Sequence, residues 1–106
     1  MKKNNEHLHT ILLAEDDEDH FLLARDAFQE ANPEIDIRWV RDGEQLMDYL
    51  RQSPHPHLIL LDLNMPKKDG REALREIKSD PQWRVIPVVV LTTSQNEEDV
   101  LYTYSL

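Results

Sequence analysis

Residues 58–70, LILLDLNMPKKDG, decide the fold. Four apolar residues, Leu58 to Leu61, run into a single carboxylate, Asp62, and the chain then breaks at Asn64, Pro66 and Gly70. An unbroken apolar run of this length reads as a strand covered on both faces. Such a strand belongs in a parallel sheet wrapped by helices, and the acid at its tip needs a reason.

The flanking sequence supplies the wrapping. Ile11-Leu12-Leu13-Ala14 is a second buried strand, and Ile86 to Leu91 reads as another. From Glu18 to Ala31, Phe21, Ala24, Phe28 and Ala31 recur at helical spacing, until Asn32-Pro33 stops the helix. Ile35, Ile37 and Trp39 alternate with polar residues, which predicts a less covered strand ending near Val40. Asp42-Gly43 opens a short helix carrying Leu46, Met47 and Leu50. Asp69 caps a third helix from about Arg71, with Ala73, Leu74 and Ile77 inward, and Asp80-Pro81 ends it. Asn96 caps a last helix with Val100, Leu101 and Tyr104. The order is βα repeated four times, so the expected fold is α/β, a doubly wound parallel sheet. Residues 1–9 are expected to be a frayed N-terminus and residues 10–106 one domain.

Composition narrows the function. The 106 residues carry a formal charge of -9, which argues against a basic surface for nucleic acid or anionic membrane. There is no cysteine, so neither disulfides nor thiolate metal sites hold the fold, and a reducing cytoplasm suits it. No signal peptide or spanning segment is legible.

Two apolar strands end in acids: the first in Glu15-Asp16-Asp17, the third in Asp62. Ligands of an open parallel sheet sit beyond the carboxyl ends of its strands, where strand order reverses. If those strands are neighbours there, Glu15, Asp16 and Asp62 share one pocket. Three close carboxylates need a proton or a cation among them. Oxygen donors without His or Cys favour a hard ion, Mg2+ in a cell, and the Asn64 carbonyl is a further candidate ligand. Asp17, Glu18 and Asp19 read instead as an ordinary acidic helix start. Thr92, Thr93 and Ser94 end the fourth strand at the same rim. An Asp beside a divalent cation can act as nucleophile toward a phosphoryl group.

These blocks, Leu13 to Asp17, Leu61 to Gly70 and Pro87 to Thr92, resemble the receiver domain of two-component response regulators. Lys67-Lys68-Asp69-Gly70-Arg71-Glu72 further resembles stand-alone regulators paired with bacterial phytochromes. The resemblance implies a flavodoxin-like fold of strand order 2-1-3-4-5 and a phosphoacceptor, Asp62, served by a sensor histidine kinase. It implies Mg2+ held by Asp16, Asp62 and the Asn64 carbonyl, with Glu15 acting largely through water. Thr92 matches the switch hydroxyl, and Asn64 and Ser94 occupy the positions that tune phosphate lifetime. It also implies a lysine and a fifth βα unit beyond Leu106, so the expectation is a receiver of order 2-1-3-4 truncated before that unit. A bare edge on the fourth strand then predicts a homodimer or larger assembly.

Rival readings come from other classes. A phosphatase using Asp62 commonly wants a second acid two residues on, where this chain has Asn64. A receiver-like module without the lysine would be phosphotransfer-incompetent and serve only interaction or oligomerisation. The expectation is a signalling phosphoacceptor rather than an enzyme. The pairs His7-x-His9 and His55-x-His57, and His20, read as surface histidines, Lys67 and Lys68 as solvated, and Trp39 and Trp83 as core or cover.

Overall fold

The computed structural model describes residues 9–91, so the expected last helix, Thr92, Ser94 and His7 lie outside the described residues. The elements are β1 (Thr10–Ala14), α1 (Glu18–Ala31), β2 (Asp36–Val40), α2 (Gly43–Gln52), β3 (Leu58–Asp62), α3 (Gly70–Ser79) and β4 (Val88–Leu91). The strands form one parallel sheet of order β2-β1-β3-β4. The chain leaves β1 to one side for β2 and returns past it for β3. Strand order therefore reverses between β1 and β3, which opens a crevice beyond their carboxyl ends.

Local chemistry sets the boundaries. Asp17, Asp42 and Asp69 each cap a helix through a side-chain oxygen that accepts a backbone N–H, from His20, Gln45 and Arg71 respectively. Gln45 also returns the favour by accepting from the Arg41 N–H at 2.8 Å. Asn32 before Pro33 and Asp80 before Pro81 are extended C-caps, as the steric demand of proline requires.

Alternation along the strands splits the core in two. Leu12, Ala14, Ile59 and Leu61 face α2 and α3 within a cluster of fourteen buried residues. Ile11, Leu13 and Leu60 face the other way, where Phe21, Ala24 and Phe28 of α1 pack half-buried. No residue of α1 is buried outright. β4 departs from its apolar sequence: Val89 is 47 % exposed, so this strand is covered less evenly than the run suggests. Among the described residues, no helix is long and apolar enough to cross a membrane.

Candidate functional site

Ala14 pairs with Leu61 in the β1–β3 register, so the residues that follow, Glu15 and Asp62, stand side by side at the crevice. Oxygens of Glu15, Asp16 and Asp62 lie within 4.8 Å of one another. Glu15 and Asp62 are only 5 % and 6 % exposed, while Asp16 faces solvent. The sequence-predicted acids thus converge.

Each buried acid is braced by the turn that follows it. Glu15 Oε2 accepts from the Asp17 N–H at 3.1 Å, and Asp62 Oδ1 accepts from the Asn64 N–H at 3.0 Å. The Asp17 cap brings His20 round so that its Nδ1 lies 3.6 Å from Glu15 Oε2. His20 was legible only as a surface position; periodicity says nothing of a helix residue turning back over its own N-terminus.

Burial dominates the electrostatics and outweighs the neighbouring His20. It pushes the Glu15 carboxyl up to about 7, with the Asp62 charge adding to the rise against the Asp17 N–H. Burial also raises Asp62, opposed by the Asn64 N–H. A raised acid holds its proton more tightly folded than unfolded. Its contribution is therefore full below the unfolded value and lost as pH rises toward the folded one. The metal-free protein should accordingly lose on the order of 2 kcal/mol between about pH 4.5 and about 7, to which Glu15 contributes most. Denaturant melts in chelator across that range check it; stability that climbs with pH would contradict the crowded-acid reading.

The donor set fits a hard divalent cation: oxygen ligands only, two of them desolvated and short of positive charge. The neighbouring lysines are engaged elsewhere. Lys67 Nζ lies 3.8 Å from Asp42 Oδ2, and Lys68 pairs with Glu76. Lys67 also adopts a left-handed φ of 62°, a conformation costing a non-glycine residue about 1 kcal/mol.

The two glycines of the chain are both used where backbones nearly touch. A Cβ on Gly70 would lie 2.4 Å from the Asp62 carbonyl oxygen and 2.6 Å from Leu63 Cα. One on Gly43 would lie 2.1 Å from the Lys68 carbonyl oxygen. The first turns of α2 and α3 thereby clamp the loop that follows Asp62.

Comparison with known proteins agrees with this geometry. The response regulator receiver domain family matches residues 11–106. Response regulator Rcp1 of Synechocystis sp. is 48% identical over 102 residues, covering 91% of this chain and 69% of Rcp1. The probable methanogenesis regulatory protein FilR2 of Methanothrix harundinacea is 44% identical over 100 residues, covering 90% of this chain and 64% of that protein. The chain thus spans about two thirds of the length of these curated relatives. Among solved structures, the phosphorylated cyanobacterial phytochrome response regulator RcpA superposes with a TM-score of 0.84 at 48% identity, over 92% of this chain and 74% of RcpA. The Mn(2+)-bound form of Rcp1 superposes with a TM-score of 0.86 at 47% identity, over the same shares of the two chains. A sheet of order 2-1-3-4, an acid triad at its topological switch point and a match over nearly the whole chain lead to one conclusion: this chain belongs to the response regulator receiver domain family and is a phosphoacceptor signalling domain of the two-component type.

Proposed function

We propose that Asp62 is the phosphoacceptor and that the donor is the phosphohistidine of a sensor histidine kinase, of the phytochrome class for which the similar regulator RcpA is named. The observation that carries this is Asp62 itself, a buried carboxylate at a rigid strand tip within 4.8 Å of two further acids. In the reaction an Asp62 oxygen attacks phosphorus and the new O–P bond forms. The P–N bond breaks, and its electron pair returns to the imidazole. The Asn64 N–H, which already holds Asp62 Oδ1, keeps that oxygen in place and leaves the other to attack. A divalent cation, when bound, neutralises charge on the phosphoryl group. Asp16, Asp62 and the Asn64 carbonyl would ligate Mg2+, with Glu15 acting through water. Thr92 as switch hydroxyl, and Asn64 and Ser94 as lifetime-tuning positions, complete the reading. The protein then serves as a signalling acceptor in the cytoplasm beside its kinase, not as a turnover enzyme. Incubation with acetyl phosphate and Mg2+, followed by intact-mass and peptide mapping, tests it: one phosphoryl group on the peptide holding Asp62 is expected, and an unmodified chain would refute it.

The metal assignment has its own check. Mg2+ should raise the melting temperature of the parent by mass action. Asp16→Ala, which removes an exposed acid and no core contact, should abolish that rise. An equal response in the variant would misplace the ion.

A further inference from the structure

The indole of Trp39 makes a contact that neither packing nor strand pairing requires. Its Nε1–H donates to the Glu15 backbone carbonyl at 2.6 Å. The Glu15 N–H is held by the ordinary ladder, donating to the Val40 carbonyl at 3.0 Å. β2 ends at Val40, and it is a side chain that donates to the Glu15 carbonyl. The ring that supplies the donor is itself fixed. Phe21 of α1 stacks on it at 4.1 Å between centroids with planes 4° apart, and the Arg41 guanidinium lies 4.7 Å over the ring.

The Glu15 carbonyl and the Asp16 N–H belong to one planar peptide unit, which also contains both Cα atoms. Orienting that plate orients the two side chains that spring from it. Glu15 and Asp16 are two of the three acids whose oxygens converge within 4.8 Å. The stack on Phe21 fixes the ring, and the partner its N–H finds is the peptide that carries two of the acids.

We propose that Trp39 is a positioning residue for the divalent-cation site, acting through the Glu15–Asp16 peptide to hold both carboxylates in register with Asp62. The proposal rests on the metal reading above. Trp39→Phe removes the N–H while keeping a ring against Phe21, and the area lost with the smaller ring is a packing effect that a stability control covers. Isothermal titration of the metal-free protein with Mn2+ should show binding about ten-fold weaker in the variant, the size of loss that outer partners of metal ligands produce. Ile77→Val, a core truncation in α3 far from the acids, supplies the stability control and should bind Mn2+ as the parent does. Affinity within two-fold of the parent in Trp39→Phe, or an equal loss in Ile77→Val, overturns the proposal. A parent that binds no Mn2+ overturns the metal reading first, and the proposal with it. A spectroscopic signature needs no variant at that position. In Trp83→Phe, which leaves Trp39 as the one tryptophan, the indole N–H proton resonance should move as Mg2+ saturates the site. A resonance that stays fixed through saturation overturns the proposal as well.

Discussion

Asp62→Asn should take up no phosphoryl group from acetyl phosphate, a loss of at least about 100-fold against the parent, and should at the same time melt higher in chelator. The two effects have separate causes. A carboxamide offers no anionic oxygen to attack phosphorus, so acceptance fails at the bond-forming step. The amide oxygen still accepts the Asn64 N–H, so the turn after β3 survives. Removing one negative charge from a buried group of acids relieves their mutual repulsion, worth about 1–2 kcal/mol above neutral pH in the absence of cation. Intact mass reads the first effect and a thermal melt in chelator reads the second. Undiminished labelling would move the phosphoacceptor elsewhere. A lower melting temperature would show that the acids are not crowded.

Gly70→Ala should be strongly damaging for so small a change. Helix propensity alone favours alanine by about 1 kcal/mol. The opposing term is larger, because the new Cβ would meet the Asp62 carbonyl oxygen at 2.4 Å and Leu63 Cα at 2.6 Å. Both are backbone atoms of the strand tip and cannot rotate aside as a side chain would. Overpacking of this kind costs about 1–3 kcal/mol, and an obstacle made of backbone places it at the upper end. The net expectation is a loss of about 2 kcal/mol in a denaturant melt. Because the helix can retreat only by pushing the loop after Asp62, phosphoryl uptake should fall as well. A variant as stable as the parent would mean that α3 can slide without cost.

Much of this is legible in the sequence. Asp17, Asp42 and Asp69 announce helix starts, Asn32-Pro33 and Asp80-Pro81 announce ends, and all five act as read. Glu15, Asp16 and Asp62 were legible as a cluster because two apolar strands deliver them to one rim. What escaped depends on contacts between elements. Gly43 and Gly70 look like poor choices at the start of a helix, and only the approach of a second backbone explains them. The positive φ of Lys67 has no marker in a lysine. Trp39 reads as strand cover, since alternation gives the face of a residue and not the reach of an indole past the strand end.

The uneven split of the core has a dynamic consequence. Among the described residues, fourteen buried ones stand behind α2 and α3, whereas three lie beneath α1, which buries none of its own. Resistance to local unfolding tracks buried apolar contact, so the free energy of opening falls from the α2–α3 side of the sheet to the α1 side. The acid pocket sits on that gradient. Asp62 hangs from the firm side, clamped by Gly70, while His20 and Phe21 ride on the soft one. An excursion that peels α1 away would loosen the grip on Glu15 and leave Asp62 where it is. The receiver can thus breathe on one flank of its site while the acceptor oxygen holds still.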